Sequence, residues 1–137
     1  MSYLDAIDAT LRRHLIDNAS LSAMIGARVY PTYLAKVKNP IYPCICFSRS
    51  TSPRDYRYRT RVSPVYEVWI YSTKDYSETD RIFEYLTLIL DNEFFPVVGD
   101  TDSRAGFKIL DHGSQDMDPD EQLYMSNFRV QAFGFFT

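Results

Sequence analysis

Three segments of this chain alternate apolar and polar residues with period two, and a chain that does so repeatedly is bound to a sheet with two unlike faces. PVYEVWIYS (64–72) places Tyr66, Val68 and Ile70 on one side and Val65, Glu67, Trp69 and Tyr71 on the other. CICFSRS (44–50) separates Cys44, Cys46 and Ser48 from Ile45, Phe47 and Arg49. The last segment, about Leu123 to Phe136, turns Tyr124, Phe128, Val130 and Ala132 toward a core, with Asn127, Arg129, Gln131, Phe133 and Phe135 opposite. GFKILDH (106–112) reads as a further strand, and GSQDMDPDEQ (113–122) as an acidic turn containing Pro119.

Helical spacing appears twice. From Tyr3 to Ile16, the residues Leu4, Ile7, Leu11 and Leu15 make one apolar stripe, with Ser2 and Asp5 as a capping pair. Ser77, with Asp80 three residues on, opens the second main helix. Its Ile82, Phe83, Leu86, Ile89 and Leu90 form a broad apolar face, and Pro96 stands just beyond its end. Between the first helix and the first long strand, SLSAMI is a short helical turn, opened by Asn18 or Ser20 and closed by Gly26. ARVYP is then strand-like up to Pro31, and TYLAKVKNPIYP is a loop broken by Asn39-Pro40 and Pro43.

The order is helix, strand, strand pair, helix, strand, strand. Short connections favour antiparallel pairing, so the expected class is α+β: a mostly antiparallel sheet with two main helices on one face. At 137 residues, positions 1–137 are expected to form a single domain. Between the strands at 44–50 and 64–72 lies TSPRDYRYRTRVS, expected to be an extended hairpin arm or a long loop. A connection of that length implies a task.

The balance of charge narrows the function. The formal net charge is −3, unlike the basic surface of a duplex-binding protein. No apolar run reaches the roughly 20 residues of a membrane span, and the acidic, periodic start does not read as a secretory signal. Cys44 and Cys46 read as reduced core thiols, since a good disulfide rarely joins residues two apart. They lack the further cysteines or histidines of a zinc site. His14 and His112 are far apart, no nucleophile constellation is visible, and the glycines are scattered singly. No enzyme, metal or cofactor is therefore expected.

Two surface features remain. In an extended RDYRYRTR, Arg57, Arg59 and Arg61 share one side while Tyr56 and Tyr58 share the other, with Arg54 just before them. Arginine and tyrosine are enriched at protein interfaces, and the same alternation suits single-stranded nucleic acid or a solvated loop. Asp116, Asp118, Asp120 and Glu121 crowd the acidic turn. It reads as a solvated turn, as a patch facing a neighbour's arginine arm, or as a cation loop, although it lacks the glycine and glutamate of an EF-hand. The terminal FGFFT is either sheet core or a subunit contact.

The opening LRRHLIDNASLSAMIGARVYP resembles the start of bacteriophage tail completion, or tail terminator, proteins. The stretch that carries the likeness is Leu21, Ile25, Gly26, Arg28, Val29, Tyr30 and Pro31. The later segments YPCICFSRS, YEVWIYSTKDYSETDRIFEYLTLIL, FKILDH and LYMSNFRVQAFGFF are similar to the family's order of strands and helix. IGARVYP is its sharpest motif and names no chemistry; the chain departs from the family pattern in the arginine-rich segment, which is not recognised as a family constant. The resemblance implies a structural virion protein, assembled in the host cytoplasm. It implies a homo-oligomeric ring, hexameric in expectation, that caps the head-proximal end of the tail tube. The implied partners are the tail tube protein and a neck or head-completion protein, with DNA passing through the bore unbound. Alternatives are a head-closure or connector adaptor ring and a small nucleic-acid-binding protein using the arm.

Overall fold

The computed structural model describes residues 3–51, 61–91 and 93–136, and of Thr51, Arg61, Thr101, His112 and Ser114 the backbone alone. In chain order these are α1 (Tyr3–Asp17), α2 (Ala19–Ile25), β1 (Val29–Tyr30), a 3-10 turn (Leu34–Lys36), β2 (Cys44–Thr51), β3 (Arg61–Val62), β4 (Val65–Ser72), α3 (Tyr76–Leu90), β5 (Glu93–Val97), β6 (Asp100–Asp118) and β7 (Leu123–Phe135). The strands form one sheet in the order β1-β2-β4-β7-β6-β5, and β3 continues the line of β4 along β7. β1 and β2 run parallel, and the other strand pairs are antiparallel. The class is α+β, as the alternating segments require.

The inner face buries the main core. Tyr66, Val68 and Ile70 of β4 meet Phe128, Val130 and Ala132 of β7 and Phe107 of β6 there. α1 covers this face with Ala6, Ile7, Thr10, Leu11 and Leu15, and α3 with Thr79, Ile82, Leu86 and Leu90. Each fully buried Leu, Ile or Phe contributes about 1.5–3 kcal/mol by leaving water, so this interface fixes both helices. Thr10 is buried without an unmet polar group: its hydroxyl donates to the Ala6 carbonyl at 2.7 Å and accepts from the Val98 amide at 3.0 Å. The outer face carries a smaller cluster. Cys44, Cys46, Tyr71 and Leu123 are buried beneath Leu34, Val37 and Tyr42 of the loop that follows β1.

The IGARVYP segment is a structural hinge between α2 and the sheet. Gly26 takes φ +59° and ends α2, where its amide donates to the Ser22 carbonyl. Arg28 Nε then donates to the Pro43 carbonyl at 2.9 Å, and its Nη2 to the Met24 carbonyl at 3.1 Å. One guanidinium thus ties the helix end to the start of β2 through two separate nitrogens held in a rigid plane, where a lysine would offer a single nitrogen.

Four expectations need correction. Pro96 is expected just beyond the second main helix, but α3 ends at Leu90 and Pro96 lies inside the edge strand β5, where a residue without an amide hydrogen is tolerated. The strand expected over 106–112 is the middle of a 19-residue β6. Two bulges, between Ile109 and Asp111 and between His112 and Gln115, shift its alternation and hide its length. The acidic turn is correspondingly shorter: Asp116 and Asp118 are still in strand, and only 119–122 turn the chain.

The fourth correction is a cap. Asp75, not Ser77, caps α3, accepting from the Glu78 amide at 2.9 Å, while Glu78 Oε1 accepts the Ser72 hydroxyl at 2.7 Å. Asp75→Ala is therefore expected to cost about 1 kcal/mol in chemical denaturation, and Ser77→Ala nearly nothing.

Candidate functional site and assembly surfaces

Of the residues singled out in the sequence, Arg54, Tyr56, Arg57, Tyr58 and Arg59 lie outside the described residues. Arg61 enters by its backbone, which pairs with Phe135 at the far end of β7. Asp116, Asp118, Asp120 and Glu121 are all exposed at the opposite end of the sheet, where β6 turns into β7. Their local order is set by side chain to backbone bonds. Asp118 Oδ1 accepts from the Asp120 amide at 3.0 Å and from the Glu121 amide at 3.4 Å, and Gln122 closes the turn at φ +51°. Among the described residues no three His, Cys, Asp or Glu side chains converge as metal ligands.

The acidic end borders a groove of about 670 Å³ that no sequence signal announced. Its floor is apolar: Leu34 and Val37 from the loop, Tyr71 from β4, Leu123 and Met125 from β7. Asp116, Asp118 and Glu121 stand on its rim. The floor residues come from three separate parts of the chain, so only the register of β4 on β7, Tyr71 opposite Met125, brings them together.

Further along the outer face the sheet carries charge and then aromatic rings. Arg129 grips Asp111 with two nitrogens, Nε to Oδ2 at 3.1 Å and Nη2 to Oδ2 at 2.6 Å. That hydrogen bonding holds the Asp111 carboxyl below its usual range. Both side chains are solvated, so the pair orders the surface more than it stabilises the fold. At the β5 edge, Phe94 is 56% exposed and lies over Gly106, where an added Cβ would meet its ring at 2.5 Å. Phe94 and Phe135 approach at 6.1 Å between ring centres. Phe136, by contrast, is core, stacked on Tyr3 at 4.1 Å, which is the sheet-core fate for that one of the terminal phenylalanines.

A second cluster joins α1 to the sheet. The Tyr66 hydroxyl donates to Asp8 Oδ1, and Arg49 Nε stands 3.3 Å from Asp8 Oδ2. Arg49 also reaches Asp5 at 3.5 Å. Burial raises the Asp8 carboxyl above its ordinary value, against the pull of the Tyr66 hydrogen bond and of Arg49. The partners are 58 residues apart in sequence, so no local pattern could have paired them. His14 stacks on Phe95 at 3.8 Å, and burial lowers its pKa. The backbone of His112 pairs with Phe128 in the strands, and His14 lies on α1.

The architecture is thus an α+β fold whose distinctive surfaces are an apolar groove, an acidic rim and an open aromatic sheet face. No protein-family model matches the chain, and no curated protein does. Among solved structures it resembles a chain from the virion of a native gene transfer agent particle, with a TM-score of 0.70 at 14% sequence identity. The likeness covers 98% of each chain, so the two share one fold from end to end.

Proposed function

We propose that this chain is a structural virion component of a phage-like particle, acting by assembly rather than catalysis. More specifically, it forms a ring that caps the head-proximal end of a tail tube and joins it to the neck. The observation that carries the coarser reading is the full-length fold shared with a virion chain. The tail-end placement rests on the resemblance of Leu21–Pro31 to tail completion proteins. The exposed Phe94, Phe135 and Leu88 add support, because large apolar side chains in water are characteristic of surfaces covered in an assembly. A ring in which each subunit offers two different patches closes by heterologous contacts.

Electron microscopy of the purified protein, alone and with tail tubes, tests the reading. A ring of fixed subunit number, seated at one end of the tube, is the expected image. Binding to portal assemblies in place of tubes would move the protein to the head-closure position. Strictly monomeric protein that ignores both would overturn the proposal.

A further inference from the structure

We infer that the apolar groove beside the β6–β7 turn receives residues 53–60 of a second copy of this chain, making the subunit joint of the ring proposed above, on which this inference rests. The groove and the segment are complementary in chemistry. The groove has an apolar floor of Leu34, Val37, Leu123 and Met125 and a rim of Asp116, Asp118 and Glu121. Residues 53–60, PRDYRYRT, carry three arginines against one aspartate, and tyrosines alternate with the central arginines. An extended chain puts neighbouring side chains on opposite sides, so Tyr56 and Tyr58 can meet the floor while Arg57 and Arg59 meet the rim. Arginine pairs with carboxylates through two donors at once, which gives the contact direction as well as attraction. The two lysines of the loop, Lys36 and Lys38, do not line the groove.

The topology makes the contact intermolecular. The segment is anchored at both ends: β2 stops at Thr51, opposite Val65, and β3 resumes at Arg61, opposite Phe135. A stretch of that length, going out and returning, reaches at most about 18 Å from its anchors. Met125, in the groove, lies about 20 Å along β7 from Gln131, which is level with Thr51, and about 30 Å from Gly134, beside β3, so both distances exceed that reach. A chain cannot fill its own groove, but the groove end of one subunit can meet the segment end of the next. Two unlike patches at opposite ends of the strands are the requirement for head-to-tail association.

A charge swap in the full-length protein tests the joint. Arg57→Glu with Arg59→Glu reverses the segment, and Asp116→Lys with Glu121→Lys reverses the rim; Asp118 is kept because it holds the turn. Each reversal alone is expected to raise the concentration needed for self-association by about two orders of magnitude. Sedimentation velocity reads this in solution, and electron microscopy reads it on tail tubes. Mixing the two reversed proteins, or placing all four substitutions in one chain, is expected to restore assembly, a rescue that misfolding could not produce. A ring that survives either reversal, or reversed proteins that do not rescue each other, overturns the joint and leaves the ring standing. Wild-type protein that stays monomeric and ignores tubes overturns both.

Discussion

Phe128→Ala is expected to remove about 3–5 kcal/mol of folding free energy, a large share of the roughly 5–15 kcal/mol available to a domain of this size. Phe128 is fully buried at the middle of β7, opposite Val68 on β4 and His112 on β6. Its ring meets Phe83 of α3 edge-on, with centres 4.9 Å apart. Truncation leaves a cavity where the sheet and α3 join, and strands paired on both sides cannot close in to fill it. The control is Phe94→Ala on the outer face, expected to cost less than about 1 kcal/mol because its ring already stands largely in water. Urea denaturation of the two variants measures the difference. Equal losses would mean that the outer face is as tightly held as the core.

The second large effect is chemical. Tyr66→Phe is expected to destabilise the fold by about 1–3 kcal/mol at neutral pH, because it withdraws a hydrogen bond from a half-buried carboxylate. The loss should shrink in acid. Asp8 binds its proton more tightly in the folded state than at the ordinary value of 3.8, because burial disfavours its charge. Over the interval from that value up to the folded pKa, the native state holds more proton than the unfolded chain, so stability falls as pH rises. The Tyr66 hydrogen bond opposes this shift, and removing it moves the folded pKa further up and widens the interval. Denaturation of both proteins at pH 7 and near pH 4 reads the sign. A penalty that is the same at both values would show that Asp8 does not titrate with Tyr66.

Much of the sheet was legible from the chain itself, because a residue's side of a strand is fixed by parity. The divisions within β2, β4 and β7 are those of the structure: Ile45 and Phe47 face the main core, and Cys44 and Cys46 face the smaller cluster. The stripe on α3 was equally plain, since Ile82, Leu86 and Leu90 repeat at helical spacing. What stayed hidden lacked such a rule. β5 is a five-residue edge strand containing a proline, and its partly exposed EFFPV shows no alternation. β6 changes parity at each bulge, so its polar second half resembles a loop. The cap of α3 was misplaced because both Asp75 and Ser77 precede an acidic residue by three positions, and only the backbone decides between them. The groove and the Asp8–Tyr66–Arg49 cluster depend on contacts across the whole chain, for which a sequence carries no local mark.

The two bulges of β6 have a consequence for how copies can meet. Beyond Phe107, β6 has left β5 behind and is the outermost strand, with its hydrogen-bonding groups on the sheet margin. A straight margin of that length would invite another chain to add as a strand, and that addition repeats without limit, as in fibrils. Kinks at Ile109–Asp111 and His112–Gln115 break the even spacing that such addition needs. Growth sideways is thereby blunted, and in the ring proposed above copies would join end to end or across the outer face, either of which closes after a fixed number of subunits.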